Sequence, residues 1–425
     1  MNKRILFLAF IAWLLLASAA VLLAGGHAAR PAGDDLWPDD LWPTKGWATA
    51  SPASVGLDEQ VLRRLDKDMA SGKYSQMVDS FAVFRCGKKV FERTYPHDYA
   101  KIYGKEAGER GPYNERLTGR YNYFDPAWHP YYHGTDLHTM QSISKTVTSV
   151  IIGAAIQRGD FKAGLDTPVL KYFDTSKGNA SVKNMDERKR RMTLRDLLAM
   201  TTGLDWNDEG FDTGDNPQND TSLMEASDDW VQYAIDKPMV AEPGKVWNYN
   251  SGATEILAYI FQKETGQDID DYGQKYLFAP LGIRHEWKRT YLGVVDAEGG
   301  LYLNGSDLAK IGYLYLHDGM WDGQRIVSSE WVKESVTPYF QTNPEPQFKN
   351  EFKYGFNWWL FKLPDSTNRV WMGRGFGGQN LYVFPKQGLI VTFTAWDILP
   401  SSTGTEPNPS DFLRLVKTET CTGTP

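Results

Sequence analysis

Ser142 and Lys145 stand three positions apart at the start of an apolar helical run, a spacing that puts both side chains on one helix face. A serine hydroxyl becomes a nucleophile only when a neighbouring group takes its proton. A lysine can be that base if burial or nearby cations bring its pKa toward neutrality. The helix N-terminus works in that direction, because its free N–H groups and positive dipole end favour an oxyanion and disfavour an ammonium. Read alone, Ser-x-x-Lys is equally an N-capping serine beside a solvated lysine.

A second group is Trp247-Asn248-Tyr249-Asn250-Ser251, a loop running into a helix. A phenol such as Tyr249 can relay a proton between a serine and a leaving group, and Ser251 could hydrogen-bond the lysine or a substrate. The competing reading is a packed tyrosine next to an N-cap serine. A third group is Gly373-Arg374-Gly375-Phe376-Gly377-Gly378-Gln379, directly before a strand-like run. Glycines there let the backbone approach a ligand and turn an N–H toward it, although a tight hairpin needs the same residues.

These groups need elements to carry them. Apolar positions Val147, Val150, Ile151 and Ala154 predict a helix over Ile143–Arg158 stopped by Gly159. Helical periodicity over 56–73 is followed by two strands, 80–85 and 89–95, around the turn Cys86-Gly87-Lys88. Residues 96–137 lack periodicity and read as a long surface loop. Helical segments at 193–200, 221–235, 251–265 and 268–277 suggest an inserted helical domain, and helices are expected at 305–317, 328–335 and 409–418. Strand-like runs at 356–361, 380–384 and 389–395 complete an α+β chain in which strands from both ends form one sheet.

The composition limits the partners. The chain has 425 residues, 46 basic and 53 acidic side chains and a net charge of −7, with one short basic run at Arg188–Arg191, so nucleic acid is not an expected partner. Lys3-Arg4 precede an apolar run from Ile5 to Ala24, which reads as a secretory signal peptide or an uncleaved membrane anchor. Everything after about residue 30 is then expected to be extracytoplasmic, with an acidic Trp/Pro linker over 31–50. Cys86 and Cys421 either form one disulfide or remain a buried strand cysteine and a loose tail cysteine. His129 and His133, with Pro130 between them, lack metal-ligand spacing, and no metal or organic cofactor is expected. Trp128, Tyr131, Tyr132, Trp206, Trp358, Trp359 and Trp371 fall in segments expected around a cleft.

The order of the three groups, Ser-x-x-Lys helix, Tyr-x-Ser loop, then glycine-rich turn, resembles the serine β-lactamase and penicillin-binding-protein superfamily. The similar branch holds class C β-lactamases, D-alanyl-D-alanine carboxypeptidases, β-lactamase-fold esterases and 6-aminohexanoate-dimer hydrolase. The resemblance covers about residues 47–415 and includes Met192–Leu204, Gly299–Leu308 and Tyr354–Trp359. It implies an α/β sandwich, an antiparallel sheet flanked by helices, made of 51–165 and 286–425 with a helical domain at 166–285. It also implies Ser142 as acylated nucleophile, Lys145 as its base partner and Tyr249 as second proton carrier. Ser251 would support them, and Gly375 and Phe376 would supply the oxyanion hole with the Ser142 N–H. Arg374 and Gly377 would touch a small ester or amide substrate. Two departures, Tyr249-Asn250-Ser251 for Tyr-x-Asn and Gly373-Arg374-Gly375 for Lys-Thr-Gly or His-x-Gly, weigh against efficient β-lactam or carboxypeptidase chemistry. The alternative class is a non-catalytic envelope binding or sensor protein with the same fold. The sequence leaves the oligomeric state open.

Overall fold

The computed structural model describes residues 42–75, 77–175, 182–208, 210, 218–341, 352–363, 369–399 and 407–418. The expected signal or anchor, most of the acidic linker and Cys421 lie outside these. Nine strands make the main sheet: β1 (Ala48–Thr49), β2 (Val78–Arg85), β3 (Lys88–Thr94), β4 (Phe340–Gln341), β5 (Phe352–Tyr354), β6 (Trp359–Lys362), β7 (Arg369–Gly375), β8 (Gln379–Phe384) and β9 (Leu389–Ala395). Their spatial order is β1-β3-β2-β9-β8-β7-β6-β5-β4. All neighbours are antiparallel except β1 and β3. Strands from the two ends of the chain therefore meet at β2–β9, as the strand-like runs predict.

One face of the sheet carries α1 (Glu59–Ala70), whose Leu62, Leu65 and Met69 join a core with Phe81, Val83, Met372, Tyr382 and Phe412. Asp58 caps α1 by accepting from the N–H groups of Gln60 and Val61. The other face carries α2 (Ile143–Arg158) and α4 (Gly305–Leu316), and α3 (Ser251–Thr265) packs against α2 and the helical segment. One continuous apolar core runs from Leu381, Val383 and Ile390 of the sheet through α2 and α3 to Leu197, Trp230 and Ile235 of the helical segment.

Helix α2 departs from the expected single apolar face: every residue from Ile143 to Ala155 is buried. Three of its polar side chains are absorbed by hydrogen bonds to neighbouring segments. Ser144 Oγ accepts from Leu301 N (3.0 Å), Thr148 Oγ1 donates to the Ala297 carbonyl (3.2 Å), and Thr146 Oγ1 donates to the Asn357 carbonyl (2.7 Å). The expected helix 221–235 is two helices, Asp220–Ala226 and Trp230–Asp236, because Asn219 and Asp229 each start a new cap. The expected strand at 356 begins at Trp359, since Asn357 takes a positive φ of 60°.

Residues 96–137 are not a surface loop. Tyr99, Tyr103, Tyr113, Tyr123 and Phe124 bury against Trp396 and Ile398. Aromatic side chains at irregular spacing can fill a core without leaving a period in the sequence. The arm from Trp42 onward also packs, with Trp47 at 4.6 Å from Phe84 and its indole N–H on the Ser306 carbonyl (2.9 Å). Cys86, in the β2–β3 turn, is disulfide-bonded. Beside it the buried Arg85 guanidinium donates to the carbonyls of Val55, Gly56, Gln387 and Thr418, fastening both ends of the described chain to one strand.

Candidate active site

A small antiparallel sheet positions Ser142. His138–Thr139 pairs with Leu301–Leu303, which also pairs with Glu286–Trp287, and the Met140 N–H continues the ladder to the Leu301 carbonyl (2.8 Å). The chain then turns sharply at Gln141, whose φ of 47° is unusual for a residue with a side chain. Ser142 follows as the residue before the first turn of α2. Its side chain makes no capping bond, which leaves the hydroxyl for other partners.

The Lys145 ammonium has three acceptors: Ser142 Oγ at 2.9 Å, the Glu298 carbonyl at 2.9 Å and Glu298 Oε2 at 2.7 Å. Three donors on an ammonium and three acceptors around it account for every N–H. Lys145 is 1% exposed and the Glu298 side chain 4%. The ionisation of Lys145 runs opposite to the lowering that a lysine base requires. Burial pushes the ammonium down, but the charge and hydrogen bond of Glu298 and the nearby Tyr249 outweigh it, and the pKa ends above the usual lysine value.

Tyr249 flanks the same serine. Lys145 Nζ lies 5.2 Å from its ring centroid, and the Ser142 hydroxyl is near enough to act on the phenol's ionisation. Burial raises the phenol, Lys145 and the nearby Ser142 hydroxyl pull it back, and it remains above its ordinary value. Asn250, not Ser251, caps α3 by accepting from Ala253 N (2.9 Å). Ser251 is buried in the first turn and, among the described residues, is not a partner of the Lys145 ammonium. Asp208, held by the Thr221 hydroxyl, lies close enough to act electrostatically on both Lys145 and Tyr249.

The glycine-rich group ends β7, an element the sequence pattern hides because Gly373 and Gly375 interrupt it. A Cβ on Gly375 would sit 2.4 Å from the Met140 carbonyl, and one on Gly373 3.3 Å from Ile143 Cγ2. Glycine is required for β7 to lie this close to the start of α2, and the closeness sets the strand end beside Ser142. Phe376 turns its ring toward Tyr113 (5.3 Å) and Trp396 (6.0 Å). Gly377 takes φ 78° in the β7–β8 turn, with Trp396 filling the space of any Cβ, so its observed contacts are those of a turn. Arg374 alternates to the other side of β7 and lies 5.1 Å from the Trp359 ring and 5.2 Å from Phe352. Trp359 in turn stacks on Tyr249 at 5.8 Å, which puts Arg374 one ring away from the phenol.

Trp247 and Tyr354 complete an aromatic wall around Tyr249 and Trp359. Of the tryptophans expected around the cleft, Trp359 belongs to this wall. Trp358 is fully buried against Tyr315, and Trp206 is core packing over Gly252. Sequence reasoning missed Glu298 and Asp208. Glu298 immediately precedes the Gly299-Gly300 pair, where a lone acidic residue carries no periodic or motif signal.

A serine at a helix start, hydrogen-bonded to a buried lysine that faces a tyrosine, beside the end of an antiparallel strand, is the arrangement of the β-lactamase-fold serine hydrolases. The chain belongs to the Beta-lactamase family, which it matches over residues 63–397. It is 25% identical over 282 residues to the 6-aminohexanoate-dimer hydrolase of Paenarthrobacter ureafaciens, covering 61% of this chain and 67% of that one. Among solved structures it resembles a hydrolase with promiscuous acyltransferase activity (TM-score 0.58, 12% identity, 84% of this chain and 97% of the other). It also resembles a D-stereospecific amidohydrolase from a Streptomyces species (TM-score 0.55, 16% identity, 84% and 97%).

Proposed function

We propose that the chain is an extracytoplasmic hydrolase that cleaves an ester or amide of a small molecule through an acyl-enzyme on Ser142. The observation that carries this reading is the hydrogen bond from the buried Lys145 Nζ to Ser142 Oγ at 2.9 Å, at a serine that makes no capping bond and has the Tyr249 phenol nearby. Attack forms the bond from Ser142 Oγ to the acyl carbon. The serine proton passes to Tyr249 as the phenol gives its own to the leaving oxygen or nitrogen, so Tyr249 ends neutral, as it began. The Ser142 N–H and the backbone at Gly375–Phe376 are the donors proposed for the oxyanion. Water then repeats the sequence in reverse to release the acid. The relatives' names, an amide-dimer hydrolase, an amidohydrolase and an acyltransferase-competent hydrolase, agree with acyl transfer. The aromatic wall of Trp247, Tyr354 and Trp359 suits an apolar acyl or amine portion. The extracytoplasmic site rests on the N-terminal apolar run; among the described residues, no helix is long and apolar enough to cross a membrane.

The test is the intact mass of the full-length chain after exposure to a fluorophosphonate, with Ser142→Ala alongside. A single adduct that the variant lacks is expected. A panel of nitrophenyl esters, amide oligomers and a chromogenic cephalosporin then sorts the substrate class. No adduct on folded protein would remove the reading and favour a binding role.

A further inference from the structure

Behind Lys145 lies a group of ionisable side chains that the acyl-transfer scheme does not use. Glu225, Glu255, Asp296 and Glu298 are each at most 5% exposed, as are Lys145 and Lys288. Glu255 Oε1 accepts the Glu298 N–H (2.9 Å), Asp296 lies 3.5 Å from Lys288, and Glu225 accepts from the Tyr123 hydroxyl. Four carboxyls facing two lysines cannot all be charged without water. Burial and mutual repulsion push Glu225 and Glu255 well above the carboxylate range, which disfavours their charged forms. That leaves Lys288 with Asp296 and Lys145 with Glu298.

We propose that Glu298 is a positioning residue that keeps Lys145 as an ammonium and so assigns the proton of Ser142 to Tyr249. The inference rests on Ser142 being the nucleophile and adds to it the division of labour around that hydroxyl. Geometry carries it: Glu298 occupies two of the three ammonium hydrogen bonds, one with its side chain and one with its carbonyl, and the third points at Ser142 Oγ. A lysine so held has no lone pair to receive a proton. It does oppose the charge that grows on Oγ as the proton leaves. The groups facing Lys145 are Tyr249 from the loop before α3, Asp208 from the loop before the Asp220–Ala226 helix, and Glu298; Glu255 and Asp296 stand behind Glu298.

The experiment is single-turnover acylation by a nitrophenyl ester, followed between about pH 6 and 9, with fluorophosphonate labelling of Ser142 in every variant. In the wild type neither Lys145 nor Tyr249 titrates in this window, so neither contributes an inflection to the acylation rate. In Glu298→Gln the amide still accepts from Nζ, but the buried ammonium has lost its counter-charge and gives up its proton within the window. The expected result is a loss of at least about tenfold near pH 8 with a new descending limb, absent when Lys145→Met is combined with it. Glu298→Asp, which keeps the charge, should restore the wild-type profile shape even at a reduced rate. A Glu298→Gln profile identical to wild type, or a faster rate at neutral pH, would overturn the proposal, the second result by making Lys145 the base. Failure of wild type to label at all would instead sink the Ser142 reading.

Discussion

Removing Lys145 tests the site through stability as well as through rate. In Lys145→Met the hydrophobic stem is replaced at similar volume, and Glu298 is left buried beside Glu255 and Asp296 without its hydrogen-bonded cation. Breaking a buried ion pair by deleting one partner typically costs about 3–5 kcal/mol, because the orphaned charge keeps its desolvation penalty. The sign with pH follows from the ionisations. Lys145 titrates above its ordinary value in the fold, so its contribution is complete throughout the neutral range and is lost only as pH rises through that raised value. The variant behaves differently, because the buried carboxyl cluster has lost one of its two lysines and must take up a proton to stay buried, and unfolding releases it. Its stability should fall by about 1.4 kcal/mol for each pH unit through neutrality, on top of the slope shared with wild type. Urea unfolding of both proteins at pH 6 and pH 8, with Glu298→Gln and the double variant closing a thermodynamic cycle, reads the coupling directly. Parallel pH dependences, or a cost below about 1 kcal/mol, would show that Lys145 and Glu298 do not share a dry ion pair.

Other outcomes follow from the same geometry. Tyr249→Phe should lower the acylation rate by about 10²–10⁴-fold with little change in KM, measured with an activated ester; unchanged kcat would remove Tyr249 from proton transfer. Glu255→Gln keeps the acceptor for the Glu298 N–H but needs no buried proton, so its urea midpoint should equal or exceed wild type at pH 8 and depend less on pH. Gly375→Ala places a methyl against the Met140 carbonyl and should reduce fluorophosphonate labelling of Ser142 more than about tenfold. Asp79 is raised by burial but lowered further by hydrogen bonds from His138, His97 and Tyr99. It therefore stabilises the fold above about pH 4 and loses that contribution as pH falls further, a dependence that Asp79→Asn should remove in urea titrations at pH 3 and 7.

The helices that hold the site were legible because apolar residues repeat along them, as in 143–158 and 251–265. The sheet was legible at its apolar strands β2, β8 and β9, and not at β7, where the glycines that permit approach to α2 dilute the strand pattern. The three site groups were visible as residue types, and the fold brings Ser142, Lys145 and Tyr249 together. What the sequence could not convey was the charge state of Lys145. A lysine three residues after a serine reads as a base, and only the return of the chain at Glu298, 153 residues later, reverses the sign of its pKa shift. Likewise the need for glycine at Gly377 is explained by Trp396, which lies where a Cβ would stand, a packing contact the sequence could not convey.

The meeting of β2 with β9 has a consequence for how the chain reaches this structure. Arg85 pairs with Leu389, so the sheet closes across about 300 residues, and the loop-closure entropy for such a span is about 5 kcal/mol. At roughly 5–20 residues per second, the β2–β3 hairpin exists for about 15–60 s of synthesis with its central edge unpaired. During that time Phe81, Val83 and their neighbours are exposed to pairing with other strands unless chaperones cover them. A ribosome-bound chain that stops before residue 389 should accordingly remain protease-sensitive in α1–β3, and acquire protection there only when β9 has emerged.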